Sequence, residues 1–176
     1  MKTRSPLIVT ARIAESDLEP FDLLRKRHFP PDRNFLNAHL TMFYRLPGEH
    51  RDIILAALET ITAVHHTMTA DITGVRHLGA GVAFSLESAP LAAARNELKS
   101  LFIQWLGSQD MQPWRPHITI QNRAPKAAAD ALYKDLRAGF CPCSIEITGI
   151  DLWKYLDGPW ELDAAFPFSG NVDTRI

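Results

Sequence analysis

Two short motifs in this chain place a histidine and a threonine two residues apart. They read H-L-T-M at residues 39–42 and H-I-T-I at residues 117–120. In a β-strand, residues two apart point to the same face, so each motif puts an imidazole and a hydroxyl on one face and apolar side chains on the other. The candidate catalytic residues are His39, Thr41, His117 and Thr119.

This combination suits attack on a phosphodiester. Histidine titrates near neutrality, so one imidazole can act as a general base while a second acts as a general acid. If the two motifs face one cleft, two threonine hydroxyls can hold the non-bridging phosphate oxygens between the imidazoles. Positioning and proton transfer of this kind are the main sources of catalysis that such a site offers.

Metal binding is the competing use of histidine. Zinc hydrolases usually hold the metal with three protein ligands, commonly including a carboxylate or a third histidine. Neither motif has an acidic neighbour on its histidine face. The only two cysteines, Cys141 and Cys143, are too close for an unstrained disulfide and have no cysteine partners for a zinc site. We therefore expect no metal, no other cofactor and a reducing, cytoplasmic location.

The motifs lie in a chain that repeats one order of elements, strand–helix–strand–helix–strand. Apolar periodicity and turn residues predict one copy at about residues 7–78 and a second at about 81–155, followed by a strand at 160–168. Each motif falls in the middle strand of its copy. Ser88 is the predicted N-cap of a helix that has Pro90 in its first turn. We expect residues 1–176 to form a single domain.

Composition narrows the possible partners. The 176 residues are 46% hydrophobic and 22% charged, as in ordinary soluble domains. With 19 basic and 20 acidic side chains the net charge is −1, which excludes a broad basic surface for long duplexes and favours local recognition of phosphate in a cleft. No apolar run approaches the roughly 20 residues of a membrane-spanning helix, and the N-terminal apolar stretch is too short for a signal peptide. We expect a monomer with no membrane partner.

Paired H-x-T motifs in a duplicated chain of this length resemble the 2H phosphoesterase superfamily, which includes 2′-5′ RNA ligases and RNA 2′,3′-cyclic phosphodiesterases. The resemblance covers nearly the whole chain. It implies an α+β fold with two lobes, in which two largely antiparallel sheets surround a central cleft and helices lie outside. This replaces the parallel sheet that strand–helix alternation alone suggests.

The resemblance also implies an activity, the metal-independent opening of a cyclic phosphate on a nucleotide or an RNA terminus. His117 would be the base that activates water, and His39 would be the acid that protonates the leaving ribose oxygen. Thr41 and Thr119 would hold the phosphate. Microscopic reversibility lets the two histidines exchange roles in the ligation direction.

The second motif departs from the family's pattern and resembles a divergent bacterial branch of 2′-5′ RNA ligase-like proteins. Many members carry an arginine five positions after the second histidine, where this chain has Asn122, and Arg123 follows one place later. By strict alternation, Arg123 lies on the histidine face only if the strand bulges. Gln121 shares that face and is a candidate contact for a base or a phosphate. The departure bears on substrate choice more than on catalysis.

Other candidate substrate-binding residues flank the motifs. Phe43 and Arg45 continue the face of His39 and would supply a stacking ring and a phosphate-binding cation, although Phe43 also fits the core. Tyr44 is expected to pack on the opposite face, and Arg115 to lie at the rim of the cleft. The aromatic residues of the last strands are expected mainly to pack within the sheet, with one ring able to stack on a nucleobase: Trp153, Tyr155 and Trp160.

Two classes of function remain open at this point. The first is a cyclic phosphodiesterase acting on a small cyclic nucleotide or an RNA terminus, with 2′-5′ ligation as its reverse reaction. The second is a non-catalytic module that binds nucleotide or RNA ends. The presence of both histidines and both threonines favours the enzyme.

Overall fold

Helices and strands alternate along the chain in the order that the apolar patterns predict. A computed structural model describes residues 3–170, so residues 1–2 and 171–176 of the expected single domain lie outside the described residues. The strands are β1 (Leu7–Ile13), β2 (Leu40–Leu46), β3 (Met68–His77), β4 (Val82–Glu87), β5 (His117–Gln121), β6 (Cys143–Tyr155) and β7 (Trp160–Pro167). The helices are α1 (Glu15–His28), α2 (Arg51–Val64), α3 (Ala89–Phe102), a short α4 (Ser108–Met111) and α5 (Lys126–Ala138).

All strand pairings are antiparallel, and they follow the order β1-β2-β5-β4-β3-β6-β7. Because β6 also pairs with β1, the first six strands form a closed, barrel-like sheet with β7 added outside β6. The predicted α+β fold with antiparallel sheets is confirmed. Strands of the first predicted copy pair with strands of the second, since β3 pairs with β4 and β1 pairs with β6.

The two expected sheets are joined through β6, the longest strand. Its first residues, from Cys143 to Ile147, pair with β3, and the following residues up to Lys154 pair with β1. On the other side of the ring, the junction between β2 and β5 is a single registered pair, Leu40 with Ile118. Because only one residue pair joins β2 to β5, these two strands separate on both sides of that pair. The candidate site lies at this junction.

The helices cover the sheet from outside. Helix α1 packs against β5, α5 against β3 and β4, and α2 against β6, β7 and α3. Helix α3 begins as predicted, because the Ser88 hydroxyl accepts a hydrogen bond from the amide of Leu91 (3.4 Å) and Pro90 occupies the first turn. None of the helices within residues 3–170 combines the length and apolarity needed to span a membrane.

Candidate active site

The two histidine–threonine motifs meet where β2 lies beside β5. Leu40 pairs with Ile118 in antiparallel register, and both side chains are completely buried. The residues on either side of this pair point to the opposite face of the sheet. Continuing the register by one residue sets His39 across from Thr119 and Thr41 across from His117. The structure thus brings the four candidate catalytic side chains together, and all four line one cleft: His39, Thr41, His117 and Thr119.

Each histidine ring is oriented by the backbone two residues before it. Nδ1 of His39 lies 2.8 Å from the carbonyl oxygen of Asn37, and Nδ1 of His117 lies 2.8 Å from that of Arg115. A carbonyl oxygen only accepts hydrogen bonds, so Nδ1 carries the proton in both rings. In the neutral imidazole the lone pair is then on Nε2, which is the nitrogen left to exchange protons with a ligand in the cleft.

Burial lowers the pKa of both imidazoles. The pKa of His39 falls to about 4, mainly because burial disfavours the cation; the carbonyl of Asn37 opposes this effect, and the charges of Arg25 and His117 add to it. Burial is also the main cause of the lowered pKa of His117, opposed by the Arg115 carbonyl and reinforced by the charges of Arg76 and Arg115. Both rings are therefore mainly neutral at pH 7 when the cleft holds no anion.

Both motif strands bulge directly after the threonine. In β2, Thr41 is opposite Thr10 but Phe43 is opposite Val9, so the strand contains one extra residue. In β5, Thr119 is opposite Ala83 but Gln121 is opposite Val82, which is the same irregularity. A bulge reverses the alternation of side chains beyond it. The two halves of the cleft are thus built in the same way.

The bulges overturn two of the predicted ligand contacts. Phe43 is fully buried and packs edge-on against Phe102, with ring centroids 5.5 Å apart. Gln121 is also buried, and its amide nitrogen donates to the carbonyl oxygen of His28 (3.3 Å). The prediction that Phe43 and Gln121 share the faces of the motif histidines is wrong, because each strand carries one more residue than strict alternation allows.

The two residues after each bulge both lie in the cleft because regular alternation ends there: β2 has a second register shift between Phe43 and Leu46, and β5 ends at Gln121. Tyr44 and Arg45 follow the bulge in β2, Asn122 and Arg123 follow the bulge in β5, and all four line the cleft. The expected packing of Tyr44 on the opposite face is therefore wrong. Arg45 and Arg123 each lie six positions after their histidine, a symmetry that the sequence analysis missed. Arg123 has a positive φ of 54°, with its amide held by the Asn122 side chain at 2.8 Å.

The bulge in β2 is held by a buried pair of opposite charges. Nε of Arg95 donates to the carbonyl oxygen of Met42 at 2.8 Å, and the guanidinium lies over the ring of Phe43. The carboxylate of Asp110 accepts from the amides of Tyr44 (2.9 Å) and Arg45 (3.3 Å). These contacts satisfy the backbone groups that the bulge leaves unpaired, and they fix the direction in which Tyr44 and Arg45 enter the cleft.

Arg115 lies beside the site rather than in it. Its side chain is exposed and is not part of the cleft lining, although its carbonyl oxygen orients His117. Arg115 therefore acts on the site through its backbone and its charge. Its predicted contact with substrate stays a prediction.

The cleft also contains two of the three aromatic side chains that the sequence analysis expected mainly to pack within the sheet, and further side chains that it did not name as candidates. The ring of Trp160 lies 4.6 Å from that of His39, measured between centroids, at an angle of 52°. Trp160 and Tyr155 both line the cleft, whereas Trp153 donates a hydrogen bond to Thr10 (2.8 Å) and packs within the sheet. Further lining residues come from α1 and the loop that follows it: Arg25, Phe29, Arg33, Phe35 and Leu36.

The cleft is strongly basic for a protein with a net charge of −1. Among the described residues its lining includes four arginines and a single carboxylate, Asp157. Its volume is about 490 Å³, within the usual range for small-ligand sites. Arginines beside aromatic rings favour a ligand that combines phosphate with a planar base. The arginines are Arg25, Arg33, Arg45 and Arg123.

Within residues 3–170, no group of three or more histidine, cysteine, aspartate or glutamate side chains is arranged to bind a metal ion. Cys141 and Cys143 are both free and exposed.

A family model matches most of the chain. The model describes the 2′-5′ RNA ligase superfamily, and it matches residues 12–159, which contain both histidine–threonine motifs. No curated protein matches the chain significantly.

Several solved structures share the fold. TT0787 of Thermus thermophilus aligns with a TM-score of 0.67 at 16% identity, over 94% of this chain and 99% of that one. Escherichia coli LigT complexed with 3′-AMP aligns with a TM-score of 0.62 at 19% identity, over 94% of this chain and 98% of LigT. A protein described as a phosphoesterase gives a TM-score of 0.64 at 19% identity, over 94% and 99% of the two chains. At these identities the likeness establishes the fold.

Proposed function

Because the chain belongs to the 2′-5′ RNA ligase superfamily, we propose that it is a phosphoesterase that opens a 2′,3′-cyclic phosphate on a nucleotide or an RNA end without a metal ion. The observation that carries this proposal is the pairing of Leu40 with Ile118, which sets two imidazole–hydroxyl pairs across from each other in one basic cleft. The binding of 3′-AMP by E. coli LigT supports a nucleotide ligand.

In the proposed reaction, water attacks the phosphorus atom while a ribose oxygen leaves. Nε2 of one neutral imidazole takes the proton from water as the new P–O bond forms. The other imidazole, protonated, gives its Nε2 proton to the ribose oxygen as the old P–O bond breaks. The product is a ribose phosphomonoester beside a free hydroxyl, and the two histidines end with their protonation states exchanged.

The lowered pKa values require the acidic proton to be taken up with the substrate. A phosphate anion between the rings favours the imidazolium form, so binding raises the pKa of both histidines. Burial lowers the pKa of His39 to about 4 in the free protein. If His39 is the acid, as the resemblance implies, the bound phosphate must raise its pKa above that of His117.

The remaining groups of the cleft hold the substrate. The hydroxyls of Thr41 and Thr119 donate to the non-bridging oxygens of the phosphate, one from each motif. Arg45 and Arg123, each six positions after its motif histidine, reach phosphate oxygens in the cleft. The ring of Trp160, which also shields His39 from water, is placed to contact the base.

The pH dependence of kcat/KM is expected to be bell-shaped, with its optimum on the acid side of pH 6.5. This quantity reports the pKa values of the free enzyme, and burial lowers both histidine pKa values from 6.5, that of His39 to about 4. Above the higher pKa the acid loses its proton, so kcat/KM falls about tenfold per pH unit. In kcat the optimum is displaced toward neutrality by the bound anion. A kcat/KM that stays constant from pH 6 to pH 9 would contradict this mechanism.

Turnover is expected to be unchanged in excess EDTA. The two imidazoles supply both proton transfers in this mechanism, so removal of divalent cations takes away no reacting group. The measurement compares initial rates after dialysis against EDTA with rates after addition of Zn²⁺, Mg²⁺ or Mn²⁺. Activity lost in EDTA and restored by one of these ions would show that a metal takes part in the reaction.

Ligation and simple binding are distinguished by the same assays. The reaction is reversible in principle, so 2′-5′ joining of RNA ends requires the same two histidines. A binding module would retain affinity for nucleotide ends and show no turnover dependent on His39 and His117.

A further inference from the structure

A buried arginine without a bound carboxylate lies under the cleft. Arg25, in the second half of α1, is only 5% exposed. Its Nε donates to the side-chain oxygen of Asn34 (3.0 Å) and the carbonyl of Leu36 (3.1 Å), and its Nη1 donates to the carbonyl of Thr119 (3.1 Å). All three acceptors are neutral. The described residues offer no hydrogen-bond acceptor to Nη2, although the side chain lines the cleft.

Arg95 is a natural comparison, because it plays the matching part for the other motif. It is 3% exposed, donates to the carbonyl of Met42 in β2, and lies over an aromatic ring, as Arg25 lies over Phe29 at 4.2 Å. Each arginine thus reaches from a helix of one half of the chain to the motif strand of the other half. Arg95, however, does not line the cleft, and its Nη2 donates to the backbone carbonyl of Asp110 (3.2 Å).

Burying the Arg25 cation costs free energy, because water no longer solvates the charge fully. Burial lowers the pKa of Arg25 to about 10, and the carboxylate of Asp22 only partly offsets this effect. Asp22 itself is engaged with the amide of Ala38. The charge of Arg25 therefore faces the cleft, where it lowers the pKa of His39, and protonation of His117 on β5 would act on His39 in the same direction. Trp160, packed on His39 from β7, is uncharged.

We propose that Arg25 is a positioning residue of the phosphate site: it fixes the Thr119 strand through Nη1 and supplies, through Nη2, the cation that a phosphate anion in the cleft neutralises. The proposal rests on the proposed function in so far as the anion is the reacting phosphate. It explains why a helix residue is buried beneath the two motifs with only neutral acceptors. In the free protein the same charge disfavours protonation of His39.

The test places a carboxylate beside Arg25 and leaves the arginine itself unchanged. Asn34→Asp replaces the neutral oxygen 3.0 Å from Nε by a charged one of the same shape. We expect inorganic phosphate to bind about tenfold more weakly, because Arg25 is already neutralised, while the melting temperature stays the same or rises. The titration midpoint of His39, followed by NMR of its ring, is expected to rise. Asn96→Asp, on the exposed face of α3, makes the same change of charge away from the cleft. It should alter neither the affinity for phosphate nor the titration midpoint of His39.

A second variant tests the arginine directly. Arg25→Lys keeps the cation and is expected to bind phosphate more tightly than Arg25→Gln by about tenfold. Phosphate affinity in Asn34→Asp within twofold of wild type, or equal affinities in the lysine and glutamine variants, would overturn the proposal and leave Arg25 a purely structural brace. None of these measurements needs turnover. A protein without phosphodiesterase activity but with weakened phosphate binding in Asn34→Asp would refute the proposed function and retain the role of Arg25.

Discussion

Replacing His39 or His117 with alanine is expected to reduce turnover of a 2′,3′-cyclic phosphate at least about 10²-fold each. Each substitution removes one of the two Nε2 atoms that move protons in the proposed reaction. Turnover by the double variant should be only slightly lower than turnover by the less active single variant, because residues that act as a unit do not contribute additively. Initial rates at saturating and at limiting substrate separate the effect on kcat from the effect on KM.

The fold should survive these substitutions. Both rings are only partly buried, and each is held mainly by one hydrogen bond to a carbonyl oxygen. His66→Ala serves as the control, since His66 is exposed and lies outside the cleft lining; it is expected to keep wild-type turnover. Loss of cooperative thermal unfolding in His39→Ala and His117→Ala would instead identify the two histidines as structural.

Replacing Gly81 with alanine is expected to lower the free energy of unfolding by about 2–4 kcal/mol. A Cβ at this position would lie directly against the backbone carbonyl of Gln121 and 2.6 Å from Cα of Asn122. These atoms belong to the bulge of β5, so the added methyl group must displace the segment that carries Asn122 and Arg123 into the cleft. Turnover should fall with stability.

Gly74→Ala is the matched control. Gly74 lies within β3, whereas Gly81 directly precedes β4, and a Cβ on Gly74 would meet no atom within 4 Å. Its effect on stability is expected to stay within about 1 kcal/mol. Equal melting temperatures for Gly81→Ala and Gly74→Ala would show that the close approach of Gly81 to Gln121 and Asn122 is not required for stability.

Alternation along a strand predicted the central part of the site. The motif H-x-T sets two polar side chains on one face and leaves an apolar one between them, and this is how Leu40 and Ile118 come to be buried while the residues beside them line the cleft. The order of strands and helices was also predicted from the sequence, because amphipathic periodicity and a capping serine are local signals.

The prediction of strict side-chain alternation failed at the bulges of β2 and β5, where each strand has one residue more than its partner. A bulge is fixed by partners from elsewhere in the chain, such as Arg95 and Asp110 for β2, and no pattern within the strand requires it. The adjacent apolar residues Met42 and Phe43 were a usable signal, since two neighbouring buried side chains do not fit strict alternation. Gln121 gave no such signal, because it is polar and still buried.

Arg25 was not predicted, and Trp160 was expected mainly to pack within the sheet, for a different reason. Nothing in the local sequence distinguishes Arg25 from the other basic residues at the end of α1, which are exposed or only partly buried. Its burial depends on where the following loop and β5 lie, and that is a property of the closed sheet. Trp160 lies at the start of the last strand, and only the pairing of β7 with β6 brings its ring to His39.

The most direct test of the central claim is hydrolysis of the four nucleoside 2′,3′-cyclic monophosphates and of an RNA oligonucleotide ending in a cyclic phosphate, in EDTA. Wild-type protein is compared with the His39→Ala/His117→Ala double variant from the same preparation. We predict turnover of at least one substrate by the wild type and a rate at least about 10²-fold lower in the double variant, and the product isomer then identifies the oxygen that leaves. Equal rates for the two proteins, or no turnover of any substrate by a wild type that binds these ends, would contradict the account.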